Sequence, residues 1–181
     1  MKQRLCKFIY SHLLGWKMNV TVPDYDKCVI CAAPHTSNWD LIIGKLFYSA
    51  IGRKTSFMMK KEWFFFPLGY FFKAIGGIPV DRSRQTSLVE QMAERFAAKR
   101  HFHLAITPEG TRKANPDWKR GFYYIALKAQ VPIVLFALDY PTKTITGNKV
   151  VYPTGDIERD MHDIKQYYTR FRGKKAQNFA I

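Results

Sequence analysis

A histidine and a carboxylate five positions apart, His35 and Asp40, are the side chains of this sequence best suited to moving a proton. An imidazole whose one nitrogen donates to a carboxylate is fixed as a single tautomer, and its other nitrogen is left basic enough to take a proton from a hydroxyl. The pair lies in Cys31-Ala-Ala-Pro-His-Thr-Ser-Asn-Trp-Asp40, which reads as the end of a buried strand, a polar turn and the first turn of a helix. Five positions along a regular helix would set the two on different sides, so they meet only if His35 precedes the helix and folds back over its N-terminus. Pro34 holds Ala33 extended, and Ser37 or Asn38 is placed to cap the helix. Asp40 then falls in the first turn, where the helix dipole favours a carboxylate. On spacing alone, ordinary turn composition is the preferred reading.

Further polar stations change that weighting. Ile75-Gly-Gly-Ile-Pro-Val-Asp-Arg-Ser83 brings Asp81, Arg82 and Ser83 to a predicted strand end, and Ala105-Ile-Thr-Pro-Glu-Gly-Thr-Arg112 does the same for Glu109, Thr111 and Arg112. Lys60 and Lys61 follow another strand. An arginine fork suits bidentate phosphate binding, and Gly110 lets backbone approach a ligand closely. Any one station is explained by strand ends meeting solvent; several together describe an anion pocket beside a base.

The elements that must position these residues follow from periodicity. Short apolar runs at 28–33, 55–59, 77–81, 102–107 and 132–138 read as strands, and helical patterns lie at 39–50, 62–73, 88–100 and 120–130. Ser87 and Glu90 form a capping box at the start of the third helix. Such alternation predicts an α/β domain with a mainly parallel or mixed sheet flanked by helices, and ligands of such sheets bind at the strands' carboxyl ends. Gly147-Asn148 between two short apolar runs predicts an edge hairpin, followed by a helix over 157–171 and a basic, frayed tail at 172–175. Within a single 1–181 domain this gives an amphipathic helix at 1–18, a catalytic core at 27–140 and a C-terminal portion at 141–181.

With 181 residues, 47% of them hydrophobic and 15% aromatic, the chain can bury a core but has little room for two domains. No apolar run is long enough to cross a bilayer. A net charge of +15 favours an acidic partner, whether nucleic acid, an anionic membrane surface, or a phosphorylated or acidic-carrier substrate. In the N-terminal helix Leu5, Phe8, Ile9, His12, Leu13 and Trp16 recur at helical spacing, a pattern that serves equally to cover the core or to rest on anionic lipid. The Trp63-Phe-Phe-Phe-Pro-Leu-Gly-Tyr-Phe-Phe72 run is read as core, as an acyl-chain wall or as an interfacial surface. Cys28 and Cys31 resemble a C-x-x-C, but on a continuous apolar strand they point to opposite faces, and the structural reading prevails. His101 and His103 lack a third ligand nearby, so no metal is expected. Three cysteines without a framework fit a reducing compartment.

Taken in order, these residues resemble the glycerolipid acyltransferases typified by 1-acylglycerol-3-phosphate O-acyltransferase. His35 and Asp40 match that family's His-x4-Asp motif. Lys60-Lys-Glu-Trp63 and Gly76-Gly-Ile-Pro-Val-Asp-Arg-Ser83 are similar to its second region, Pro108-Glu-Gly-Thr-Arg112 to its Pro-Glu-Gly-Thr-Arg signature, and Val131-Pro-Ile-Val134 to a later apolar segment. The matching blocks run from about residue 28 to residue 138.

The resemblance implies transfer of a fatty acyl group from acyl-CoA or acyl carrier protein, as co-substrate, to a hydroxyl of a lysolipid acceptor, with no cofactor. His35 is then the general base oriented by Asp40, and Lys60, Arg82, Glu109, Gly110, Thr111 and Arg112 bind or frame the acceptor and its headgroup. The expected setting is cytoplasmic, peripheral on the inner face of the cell membrane, with no nucleic acid partner. Pro34, Thr107 and Lys113 depart from the usual pattern, where asparagine, an aromatic and serine are common, which leaves the acceptor open among lysolipids and acyl-amino-acid lipids. The rival class is a noncatalytic basic module binding membrane or nucleic acid, which explains the charge but not the histidine or the Pro-Glu-Gly-Thr-Arg segment.

Overall fold

An uninterrupted apolar strand is stable only when both its faces are covered, and Lys27–Ala33 meets that condition. Cys28 and Ile30 enter one hydrophobic cluster, while Val29, Cys31 and Ala33 enter another. The computed structural model describes residues 2–80 and 87–181. It contains seven strands in one mixed sheet, β1 (Lys17–Val20), β2 (Lys27–Ala33), β3 (Ser56–Lys60), β4 (Gly77–Val80), β5 (Phe102–Ile106), β6 (Ile133–Asp139) and β7 (Thr144–Val151), in the order β1-β7-β6-β2-β5-β3-β4. Every pairing is parallel except that of β6 with β7. β2 lies centrally, between β5 and β6.

Helices α1 (Lys2–Phe8) and α2 (Trp39–Ala50) cover one face, and α4 (Leu88–Ala98), α5 (Gly121–Ala129) and α6 (Ile157–Tyr168) the other. The right-handed sense of parallel crossovers sets α3 (Leu68–Ala74), between β3 and β4, on the same side as α2. The capping box forms: Ser87 Oγ accepts the Glu90 N–H at 3.2 Å and Glu90 Oε2 accepts the Ser87 N–H at 3.0 Å. The mixed, helix-covered α/β sheet is the architecture that the alternating pattern predicts.

Several local expectations are corrected. The 1–18 helix ends sooner: α1 passes into a π-helical turn at Ile9–Leu13, and Lys17–Val20 pairs with β7 as a strand. Tyr10 and, from the sequence-derived stripe, Trp16 are buried there, whereas Leu5, Phe8 and Leu13 of that stripe face outward. The 62–73 helix divides into a 3-10 turn at Lys61–Trp63 and α3, because Pro67 supplies no N–H and disfavours helix at Phe66; the Phe66–Pro67 and Ala33–Pro34 peptides are cis. No hairpin forms at Gly147-Asn148, which lies inside the unbroken β7. A β-carbon on Gly147 would overlap the Phe136 ring, so this glycine serves close packing rather than a turn. Nor is β7 an edge, since β1 lies outside it.

The basic tail is not frayed. The Tyr140 N–H donates to the Arg172 carbonyl, the Lys175 N–H to Thr36 Oγ1, and Trp118 Nε1–H to the Ala180 carbonyl at 3.0 Å.

Candidate active site

Strand β2 ends at Ala33, so His35 emerges at the carboxyl edge of the sheet and α2 begins four residues later. The turn between them is built on the Asp40 carboxylate. Its Oδ2 accepts the Thr36 and Ser37 N–H groups, each at 2.8 Å, and faces His35 Nδ1 at 3.1 Å. Asp40 thus orders the two residues before the helix, while Ser37 Oγ accepts the N–H of Trp39, the first residue of α2, at 3.2 Å, and Asn38 makes no side-chain cap bond. This is how residues five apart meet: His35 stands outside the helix and is folded over its first turn.

Asp40 is 5% exposed at its side chain and His35 20%. The second carboxylate oxygen, Oδ1, accepts the Tyr140 hydroxyl at 2.6 Å. Burial by itself pushes the Asp40 carboxyl up, but the hydrogen bonds from His35, Tyr140 and the Ser37 amide outweigh it and hold the group below its usual value. Burial and the bond to Asp40 push the Tyr140 phenol up, so it stays a donor. The Trp16 ring meets Tyr140 edge-on, with centroids 5.0 Å apart. Carboxylate and imidazole are thus ordered, while no described residue hydrogen-bonds His35 Nε2.

The loop after β5 closes the other side. Glu109, 2% exposed, accepts the His35 backbone N–H on Oε1 at 2.7 Å. Its Oε2 is buried with no hydrogen-bond partner among the described residues. Burial pushes this carboxyl up to about 7, an effect that the hydrogen bonds to Oε1 only partly offset. Gly110 turns the chain at φ +66°, a conformation that suits glycine. The Arg112 guanidinium donates to Asn38 Oδ1, and the Arg112 carbonyl accepts Asn38-independent support from the tail through Asn178 Nδ2 at 2.9 Å. Thr111 Oγ1 accepts the Lys113 N–H.

Of the sequence-derived candidates, His35, Asp40, Glu109 and Arg112 are thus joined by direct hydrogen bonds or through Asn38, and Gly110 and Thr111 share the Glu109–Arg112 loop. Lys60 ends β3 at the same sheet edge, with β5 between it and β2, and its side chain is exposed. Asp81, Arg82 and Ser83 lie outside the described residues. Sequence reasoning missed Tyr140, an isolated tyrosine 100 residues from Asp40, and the tail, whose Gly173 packs so closely that a β-carbon would come within 2.6 Å of Thr36 Oγ1. Neither carries a local signal. Cys28 and Cys31 are buried in separate clusters, and burial raises both thiols, Cys28 to about 12. His103 Nε2–H donates to the Tyr25 carbonyl, whereas His101 pairs with Asp26.

A mixed sheet carrying a carboxylate-oriented histidine at the carboxyl end of a parallel strand can serve as a framework for hydroxyl activation. The chain belongs to the Acyltransferase family, whose model matches residues 17–138. It is 34% identical over 94 residues to a 1-acyl-sn-glycerol-3-phosphate acyltransferase of Cocos nucifera, covering 49% of this chain and 30% of that protein. To the protein of the same name from Limnanthes alba it is 28% identical over 141 residues, covering 70% and 49% respectively. The chain therefore spans about half, or less, of the length of these curated relatives. In three dimensions it resembles the crystal structure of the 1-acyl-sn-glycerophosphate (LPA) acyltransferase PlsC from Thermotoga maritima, with a TM-score of 0.63 and 17% identity over 93% of this chain and 75% of that one. That likeness concerns the fold.

Proposed function

We propose that this protein transfers a fatty acyl group from a thioester, on coenzyme A or acyl carrier protein, to a hydroxyl of a lysophospholipid-like acceptor. The observation that carries the reading is the 3.1 Å contact of His35 Nδ1 with a buried carboxylate, at a sheet edge where the histidine keeps partial exposure. Asp40 holds the proton on Nδ1, and Nε2 takes the proton of the acceptor hydroxyl as its oxygen attacks the thioester carbonyl. The tetrahedral intermediate then collapses, the carbon–sulfur bond breaks, and the imidazolium returns its proton to the departing thiolate. One ester forms and one thiol is released. Direct attack agrees with the buried cysteines, which offer no thiolate beside His35.

The 1-acyl-sn-glycerol-3-phosphate acyltransferase relatives support a glycerolipid acceptor. Arg112, with Lys60 and Arg82, supplies cationic groups for an anionic headgroup. Glu109 anchors the His35 backbone beside them. The protein works at an anionic membrane surface, in keeping with its charge of +15; none of the described helices is long and apolar enough to cross a bilayer.

Thiol release from acyl-CoA and from acyl carrier protein, measured across a panel of lysolipids, tests the reading. Wild type should turn over with at least one acceptor, and His35→Ala should lower kcat by roughly 100-fold or more, the ordinary contribution of a positioned base. Unchanged turnover in His35→Ala would remove the base assignment.

A further inference from the structure

An apolar side chain left in water by folding needs an explanation when it has large apolar neighbours, because scattered exposure is normal but contiguous exposure marks a contact surface. Between β3 and β4 the chain exposes Trp63, Phe65, Phe66, Tyr70 and Phe71 within nine residues; Phe66 is 81% exposed and Tyr70 72%. Their sequence neighbours Phe64 and Phe72 are half-buried and meet at a 60° tilt, with centroids 6.0 Å apart, so the segment has an inner side that packs and an outer side that does not. The exposed Trp39 and Ile42 of α2 and the outward stripe of α1 lie on the same side of the sheet, whereas α5 on the opposite side exposes Tyr124 and Leu127.

Charge selects the occupant. Residues 41–80 hold six basic residues and one acidic residue, Glu62, and Lys54, Lys60 and Lys73 are exposed around the aromatic segment. Two copies of this chain meeting face to face would oppose like charges. Aromatic rings ringed by lysines instead match a bilayer interface, where rings settle among headgroups while ammonium groups pair with lipid phosphates.

We infer that the aromatic segment from Trp63 to Phe71, with its surrounding lysines, is a docking surface for a bilayer bearing anionic headgroups. The surface adjoins the site: Lys60 closes β3 at the sheet edge from which His35 emerges, and the aromatic segment follows directly. Docking there brings the bilayer alongside the histidine, so a lipid acceptor need not leave the interface fully. This consequence, though not the docking itself, rests on the acyl-transfer reading.

The test uses the full chain with vesicles of phosphatidylcholine, alone or mixed with phosphatidylglycerol. Wild type should bind the mixed vesicles and leave the neutral ones. The triple variant Phe66→Ser, Tyr70→Ser, Phe71→Ser should weaken binding by about tenfold or more through lost apolar insertion. Lys54→Glu with Lys73→Glu should also lower binding by about tenfold or more, through the phosphatidylglycerol dependence. The control Tyr124→Ser, Leu127→Ser should stay within about twofold of wild type. Wild-type binding by both the triple and the charge-reversed variants, or equal loss in the control, would overturn the proposal. So would a wild-type dimer, seen by sedimentation, that the triple variant dissolves. Turnover separates this inference from the function beneath it. The triple variant should keep wild-type activity on a monomeric short-chain lysophosphatidate and lose it on a vesicle-embedded acceptor. If wild type turns over no acceptor yet the vesicle results stand, the acyl-transfer reading fails and the docking surface remains.

Discussion

At the scale of single residues, Asp40 is the point on which the site turns, because one carboxylate satisfies the imidazole, two backbone amides and a phenol. Tyr140 fixes its second oxygen from another strand end. Tyr140→Phe keeps the ring against Trp16 and removes only the hydroxyl, so it should lower kcat by roughly 10- to 150-fold with KM little changed, in line with about 1.5–3 kcal/mol for a hydrogen bond to a charged group. Steady-state kinetics with a saturating acceptor decide this, and an unaltered kcat would show that the turn alone holds Asp40. Glu109 gives a prediction in pH. Its carboxyl ionises near 4.5 when unfolded and near 7 when folded, so between those values the folded chain keeps a proton that the unfolded chain has lost. Its contribution to stability is fullest below 4.5 and falls by up to about 3 kcal/mol as pH rises past 7. Urea unfolding at several pH values should show a decline over this window in wild type that is flattened in Glu109→Gln.

At the scale of elements, glycine and proline explain where expectation and structure part. Gly147-Asn148 has turn composition, but Gly147 is required because the Phe136 ring occupies the space of a side chain, and β7 runs straight through. Gly147→Ala should therefore destabilise the fold by about 1–3 kcal/mol through overpacking, seen as a lower melting temperature. A rise in stability would instead indicate that the glycine served backbone freedom. The 62–73 stretch is expected as one helix, yet Pro67 divides it, and five large side chains of its Trp63–Phe71 part face outward.

At the scale of the whole molecule, the last ten residues close the architecture over the site. The tail bonds to Thr36, Tyr140, Arg112 and Trp118, and α6, from which it departs, is pinned to β2 by the Tyr168 hydroxyl on the Cys31 carbonyl at 2.6 Å. A chain ending at Phe171 should lose at least about 2 kcal/mol of stability, since the Phe179 packing against Trp118 goes with it. Its turnover should fall as well, because Thr36 and Arg112 lose a neighbour. Calorimetry beside the thiol-release assay would reveal this, and a truncated chain with wild-type melting and activity would make the tail dispensable.

The sequence by itself determined the alternation of strands and helices, the burial of β2 on both faces and the grouping of His35, Asp40 and the Glu109–Arg112 loop at strand ends. Each of these depends on period, composition or a spacing of a few residues, and such signals are local. Only the tertiary structure decided that β7 is an inner strand, that Tyr140 completes the Asp40 carboxylate and that the tail covers Thr36. Those contacts join residues 100 or more positions apart, as in Asp40 with Tyr140 and Thr36 with Lys175, and no local pattern encodes which partner arrives. The outward turn of the aromatic segment likewise depends on which half of it finds a neighbour, a matter of packing rather than of composition.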